Sequence, residues 1–591
     1  MSFKAPVNDI LFTMNHAAGM QQGIARGIYA DLADGGAAAV LDQAARFAED
    51  ILAPNLRNGD LHPPLLSDGV VTTSPGWKEA YARWIEGGWA GLTAPSEEGG
   101  MGLPMLLNTG CFDMWNAANM AFMLCPILSC GAIDALEKHA TPELREKYLP
   151  LIASGEWSAT MNLTEPQAGS DLAGMRTKAE RNGDGTYKIS GQKIFISYGE
   201  HDMTDNIVHL VLARLPDAPA GTRGISLFLV PKFLVNADGT LGTRNDVVAS
   251  GLEHKMGIHG SPTCTMIYGD KGGATGWLIG EENRGLACMF TMMNSARLAT
   301  AMQGVSVAER ATQQALQWAR ERKQGKPPGW TGEGPAPIAE HADVRRMLMT
   351  MKAMTAAARA ICYMTAGSID LSRREASEAA RNEAAERTAL LTPLSKAFAT
   401  DIGNEVASLG VQVHGGMGYM EETGAAQLFR DIRIAAIYEG TNGIHAIDLV
   451  TRKIGSAGGE VVKREIADMR ATIDKVRATN APEFGQMGAR LAEAVDSFET
   501  ATHYLQNIIA SASNDALAGA TPYLRLFALA RGGTALANLA LAARGDAAQA
   551  HQIAIARFFA DSLCTGAKGL EVTVTEGAAS VHMAQTALAD V

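Results

Sequence analysis

The hydrophobic period of this 591-residue chain changes twice, and those changes constrain the fold more than any other feature. From Ala37 to Asn55, apolar residues recur at helical spacing (Val40, Leu41, Ala44, Phe47, Ala48, Ile51, Leu52), and Pro54 is expected to stop the run. Helical patterns continue to about Trp157, broken by the turn-rich segment APSEEGGMGLP. At about Ala159 the spacing shifts to short alternating or β-branched runs: TYKISGQKIFIS, IVHLVLARL, GISLFLVPK and CTMIYG. Turn signals such as NGDGT and NADGTLG separate them, which predicts an antiparallel β-domain to about Ile279. Helical period returns near Gly285 and holds to Ile454, apart from the Gly/Pro insert Gly325 to Pro337, which reads as a surface loop. Beyond SAGGE (Ser456 to Glu460), a linker, another helical block follows. The expected fold class is mainly α with a central antiparallel β-domain. The divisions are an arm with weak patterning (1–36), an all-helical domain (37–158), the β-domain (159–280), a helical bundle (281–455) and an additional helical block (460–591).

Composition narrows the function classes. Hydrophobic residues make up 47% and charged ones 19%, which describes a packed chain with several cores, roughly three to five domains. A net charge of -12 argues against a general nucleic-acid binder, and in the last block acids slightly outnumber bases with no Lys/Arg cluster. Seven scattered cysteines without a CxxC indicate reduced thiols and no zinc site. The start lacks a basic region followed by an apolar core, and no stretch reaches about 18 uninterrupted apolar residues. The expectation is a cytoplasmic protein without a membrane span.

Five stretches carry candidate chemistry. In LFRDIRIAAIYEGTNGIHAIDLVTRKI (Leu428 to Ile454), Glu439 stands between an apolar approach and a Gly-rich turn, with Thr441 or Asn442 as cap of the next helix. Desolvation there makes a carboxylate a usable base near neutral pH. The alternatives are that Glu439 caps the following helix or pairs with Arg430 or Arg433. MNLTEPQAGSD (Met161 to Asp171) offers Thr164, Gly169 and Ser170 in a turn able to wrap a planar polar ring or a phosphate, or to be an ordinary turn. In GQKIFISYG (Gly191 to Gly199), Phe195 and Ser197 alternate on one strand face, which suits a flat cofactor or plain sheet packing. Arg297 and Arg322 lie 25 residues apart on helical patterns, as phosphate ligands or as solvated charges. VQVHGGMGY (Val411 to Tyr419) is neither a P-loop nor a dinucleotide fingerprint, and His414 reads as structural.

Together and in this order, these motifs resemble the acyl-CoA dehydrogenase family of flavoproteins over about residues 37 to 454. The resemblance implies that Glu439, in YEGT, is the catalytic base. It implies FAD contacts at Asn162, Leu163, Thr164, Gly169 and Ser170. It adds Phe195, Ile196 and Ser197 over the flavin ring, Arg322 and Gln324 at the diphosphate, and Thr441. Gln412 and Gly416 correspond to the loop that approaches the FAD of a neighbouring subunit. Ser170, Arg297, Tyr438 and Gly440 are implied substrate contacts. Phe195 stands where Trp is common, the aromatic usual after Arg322 is missing, and Gly443 replaces a frequent FAD contact. The implied partners are an acyl-CoA and electron-transferring flavoprotein. The arm, the insert and the last block resemble a longer branch acting on 3-methylmercaptopropionyl-CoA in bacterial dimethylsulfoniopropionate breakdown. By that resemblance the last block replaces the contacts of a second dimer, implying a homodimer. Rival readings on the same fold are a medium- or long-chain fatty acyl-CoA dehydrogenase, an acyl-CoA oxidase and a nucleic-acid-binding flavoprotein.

Overall fold

The computed structural model describes residues 3–589. The first residues are not a loose arm. Val7–His16 is a helix whose Ile10, Thr13 and Met14 sit at i, i+3, i+4 spacing and are buried. Asp9 on the same helix meets Lys352 at 3.2 Å and His551 at 3.0 Å, so it bridges the bundle and the last block. Pro54 does not stop the next helix. The helix runs on from Gly36–Arg46 through a wide turn over Phe47–Leu52 into Ala53–Leu61, and Pro54 is accommodated where that wide turn ends.

The domain expected to be all-helical also holds a small hairpin, Leu65–Ser67 paired with Val70–Thr72. Asp68 and Gly69 turn it with φ of +50° and +75°, the left-handed pair that Asp-Gly supplies best. Its central helix, Met105–His139, is long and apolar enough to cross a membrane by length and composition, yet 89% of its most apolar window is buried inside the protein. Asn119 breaks that helix with φ -160°. The broken helix packs against Gly285–Glu321 of the bundle.

Strand structure begins at Trp157, two residues ahead of the shift in sequence pattern. One eight-stranded sheet runs in the order Val247–Leu252, Thr263–Tyr268, Tyr187–Ser197, Ala274–Ile279, Ile225–Pro231, Asn206–Arg214, Trp157–Asn162, with Lys178–Arg181 alongside. It is not wholly antiparallel: Trp157–Asn162 runs parallel to Asn206–Arg214, Ala159 opposite Val208. The loop after Asn162 and the Lys178–Arg181/Tyr187–Ser197 hairpin return the chain in its starting direction, which a parallel neighbour requires.

Gly285–Glu321, Ala342–Arg374 and Glu378–His414 form the bundle. The Gly325 to Pro337 insert is exposed apart from Ala336 and a few half-buried positions, as a surface loop should be. In the last block, Ala520–Ala542 packs on Ala342–Arg374, so closely that a Cβ on Gly532 would lie 3.0 Å from the Ala357 side chain. Buried Arg531 reaches Glu465 at 3.4 Å, and Glu465 also takes the Arg387 guanidinium.

Candidate active site

Helix Ala425–Ile432 and a short turn of 3-10 helix, Arg433–Ala436, deliver the chain to Glu439, which is left-handed (φ +56°), as is Gly440 (φ +88°). A non-glycine residue there is strained and persists only where its surroundings hold it. His445 Nε2 donates to the Glu439 carbonyl at 3.1 Å, and Lys396 Nζ donates to the Gly440 carbonyl at 2.7 Å. A Cβ on Gly440 would lie 3.1 Å from His445 Nε2, so glycine is needed for space as well as for φ. Thr441 caps helix Asn442–Asp448, its hydroxyl accepting from the Ile444 N–H. Arg430 is taken by Asp60 and Glu421, both at 2.8 Å. Arg433 is exposed and forms no ion pair with Glu439 among the described residues, so Thr441 takes the cap and neither arginine pairs with Glu439.

Glu439 Oε2 is buried and has no hydrogen-bond partner among the described residues, and the Glu439 N–H donates to none of them. Burial pushes its carboxyl up to about 7, against the opposing charges of Arg297 and Lys396. Burial pushes Lys396 down to about 7, against Glu439 and Asp401, and holds His445 neutral at about 3. Arg297, half-buried on Gly285–Glu321, donates to Asn294 at 3.1 Å, and burial lowers its pKa. The Tyr438 hydroxyl donates to buried Gln303. Glu439, Tyr438, Gly440, Thr441 and Arg297 thus assemble as one group. Lys396, His445 and Gln303, which complete it, carry no sequence signal beyond being polar residues in apolar helical runs.

The second group lies at the end of the Trp157–Asn162 strand. The Thr164 carbonyl accepts from the Ile194 N–H at 2.9 Å, which joins the TEPQAGSD loop to the Tyr187–Ser197 strand. Under the loop, Lys193 Nζ donates to Glu165 at 2.9 Å and to the Leu163 carbonyl at 3.0 Å. Both charged side chains are buried. The opposite charges were visible in the two motifs, one in each, but not their pairing. The regular alternation expected at Phe195 and Ser197 is broken. The register shifts opposite Cys264/Met266, and Phe195 takes φ +61°, which turns its ring outward to 58% exposure while Ile196 stays buried. Asn162 also departs from expectation. Its side chain is buried in the sheet, accepting from the Tyr268 hydroxyl at 2.8 Å, so only its backbone lies at the loop.

This second group fits a flavin. An outward aromatic ring, the hydroxyls of Thr164, Ser170 and Ser197, which bond to none of the described residues, and open space beside Gly169 suit a planar polar ring system and its phosphates. The two groups are tied together because Ile258, in the loop before Thr263–Tyr268, donates to Asp431 on the helix leading to Glu439.

Arg322, Gln324, Gln412 and Gly416 are not brought to either group. Arg322 lies just past its helix in extended backbone, exposed, rather than on the helix itself. Trp318 stacks on His414, 5.2 Å between ring centroids, so all four expected residues share one end of the bundle. Along the helix that end is ~37 Å from Arg297. Met417, Tyr419 and Met420 are exposed beside them.

Successive segments match sequence models of the acyl-CoA dehydrogenase N-terminal domain (37–156), middle domain (160–270) and C-terminal domain (283–455), then an acetyl-CoA dehydrogenase C-terminal-like domain (466–585). The chain is 45% identical, over 93% of its length and 92% of the other's, to 3-methylmercaptopropionyl-CoA dehydrogenase of Ruegeria pomeroyi. The chain belongs to the acyl-CoA dehydrogenase family. A butyryl-CoA dehydrogenase of Syntrophomonas wolfei is 36% identical, covering 78% of this chain and 77% of its own. An acyl-CoA dehydrogenase of Bacillus anthracis, solved with FAD, shares the fold with a TM-score of 0.74 at 22% identity, covering 93% of this chain and 88% of the other. This acyl-CoA dehydrogenase therefore carries the family's three domains and the additional helical block.

Proposed function

We propose that this acyl-CoA dehydrogenase oxidises 3-methylmercaptopropionyl-CoA to 3-methylthioacryloyl-CoA, with Glu439 as the base. The observation that carries the mechanism is the Glu439 turn, which offers a partnerless carboxylate oxygen and a free N–H from one residue. The α-proton of a thioester is very weakly acidic, so its removal needs charge stabilisation at the carbonyl oxygen as well as a base. The Glu439 N–H donates to that oxygen, and Oε2 takes the α-proton. Arg297 and Lys396 oppose the effect of burial, which leaves the Glu439 carboxyl at about 7, and neither bonds its free oxygen. Bound FAD supplies the two-electron acceptor for the hydride that leaves the β-carbon. Thr164, Gly169, Ser170, Phe195, Ser197 and Thr441 would hold it, with Leu163 beside them; the Ile196 side chain packs into the sheet core, so only its backbone is available. Half-buried Tyr438 and Ile434 pack around the site and exclude water.

The substrate reading rests on the 45% identity with the Ruegeria protein. Steady-state kcat/KM with 3-methylmercaptopropionyl-, butyryl-, octanoyl- and palmitoyl-CoA tests it, with the enoyl product identified by mass. The short thioether ester is expected to rank first; a preference for octanoyl or palmitoyl would replace it with a fatty acyl-CoA reading. We further assign electron-transferring flavoprotein as the electron acceptor and a homodimer as the assembly. The dimer reading is supported by the exposed cluster of Arg322, Gln324, Gln412 and Gly416, which lies ~37 Å along the helix from Arg297 and is open to a second copy of the chain. Light scattering at micromolar protein reads the mass directly, and a tetramer would overturn the assignment.

A further inference from the structure

Lys396 has no exposure at all, and it lies on the inner face of Glu378–His414 one helix away from Glu439. Its hydrogen bonds go to neutral acceptors, the Gly440 carbonyl at 2.7 Å and Asn442 Oδ1 at 3.0 Å. Asn442 is itself fixed, its amide donating to Asp401 at 2.7 Å, to Thr400 at 3.0 Å and to the Ala397 carbonyl at 3.1 Å, so its oxygen is aimed at the ammonium. Among the described residues no carboxylate lies within 4.0 Å of Lys396 Nζ. A buried ammonium without a bonded carboxylate is an expensive way to tie down a turn, since an amide would donate the same hydrogen bonds without burying a charge. The charge therefore calls for a purpose of its own, and Glu439 is the carboxylate it acts on most strongly.

We propose that Lys396 is a positioning residue for proton abstraction: it pins the Gly440 carbonyl, which holds the left-handed Glu439 turn, and its charge favours the Glu439 carboxylate over the acid. This rests on Glu439 being the base. The groups facing Glu439 are Arg297 from Gly285–Glu321, Lys396 from Glu378–His414, His445 from Asn442–Asp448, and Tyr438 on its own turn. His445 stays neutral, so Arg297 and the protonated form of Lys396 are the two charges that set the balance, and Lys396, itself pushed down to about 7, titrates together with Glu439. Lys396 alone of these two also holds the backbone.

The test compares Lys396→Met and Lys396→Arg holoenzymes with wild type in the pH dependence of kcat/KM. An independent readout is the infrared band of the protonated Glu439 carboxyl, assigned by its absence in Glu439→Gln. In Lys396→Met the acid limb and the infrared midpoint both move upward by on the order of one pH unit, and kcat/KM at pH 7 falls at least about tenfold. Lys396→Arg keeps the wild-type midpoint while kcat falls through displaced geometry. The proposal is overturned if Lys396→Met titrates as wild type, or if Met and Arg shift the midpoint alike. Should Lys396→Met fail to fold with flavin, Lys396→Gln, a neutral donor, is read by the same criteria. Dehydrogenation that survives in Glu439→Gln would instead remove the base assignment, a separate failure.

Discussion

Replacing Lys193 with methionine probes the support under the TEPQAGSD loop. Lys193 and Glu165 are 0% and 3% exposed and 2.9 Å apart. Burial alone would raise the Glu165 carboxyl, but the Lys193 ammonium and hydrogen bonds from Thr177 and Arg176 outweigh it and bring it to about 2. Burial lowers Lys193 to about 8 despite its partner. The carboxylate gains about as much as the ammonium loses, so the intact pair contributes little net stability. Removing one partner is different, because it strands a buried charge at a cost of about 3–5 kcal/mol. For Lys193→Met that corresponds to a fall of roughly 6–20 °C in the first unfolding transition, accompanied by loss of flavin, since the Leu163 carbonyl also loses its donor. Differential scanning fluorimetry of flavin-free and flavin-bound protein measures both. The double variant Lys193→Met/Glu165→Gln removes the stranded charge while keeping an acceptor for Thr177, and it is expected to recover at least about half of the loss. The pH dependence has a definite sign. Glu165 has a folded pKa depressed below its unfolded value, so its contribution is full above pH about 4.5 and is lost as pH falls toward 2. The gap between wild type and Lys193→Met should narrow in that window. A melting temperature within about 2 °C of wild type at pH 7, the shift that roughly 1 kcal/mol gives, would mean that no buried charge is stranded.

Three further outcomes follow from the site. Glu439→Gln should retain flavin and lose about 10²–10⁴-fold in kcat/KM. It should also melt higher than wild type above pH 7 but not at pH 4.5. Folded Glu439 holds its proton to about 7 and unfolded Glu439 releases it near 4.5, so ionising it in the folded state costs up to about 3 kcal/mol; equal melting temperatures at pH 8 would contradict this. Gly440→Ala, which forces a Cβ into left-handed backbone 3.1 Å from His445 Nε2, should destabilise by about 1–2 kcal/mol and lower kcat more than it raises KM, read by calorimetry and steady-state kinetics. Phe195→Ala should weaken flavin retention on gel filtration while leaving the unfolding free energy of the flavin-free protein within about 0.5 kcal/mol of wild type, because the ring is exposed.

Architecture was legible in the sequence because burial writes a period. The switch from helical to alternating spacing marked the β-domain to within two residues at Trp157. What escaped were features decided by single residues against the local pattern. Asp68-Gly69 made a hairpin inside a helical domain, Pro54 sat where a helix tolerates it, and the Val7–His16 helix has too short an apolar stripe to stand out. At the site, Glu439 stood out as a lone acid between apolar residues and glycines, but the residues alone left a cap or an ion pair equally open, and only the family resemblance implied a base. The residues that hold it did not stand out, since Lys396 and His445 approach from elements 43 positions before and six after it, a proximity made by tertiary packing. Phe195 was read on the right strand but on a regular face, because a bulge leaves no mark in the alternation until the partner strand is known. Asn162 was implied as a flavin contact by the resemblance, and the partner that turns its side chain into the sheet, Tyr268, is 106 residues away.

The central claim is that Glu439 removes the α-proton of a short acyl-CoA bound to the flavoprotein. The most direct measurement is an anaerobic titration of the yellow holoenzyme with 3-methylmercaptopropionyl-CoA, followed by flavin absorbance and repeated with Glu439→Gln. Wild type is expected to bleach rapidly and the variant, which still binds the ester, not at all on the same timescale. Bleaching by Glu439→Gln at the wild-type rate, or no bleaching of wild type by any acyl-CoA, would contradict the claim.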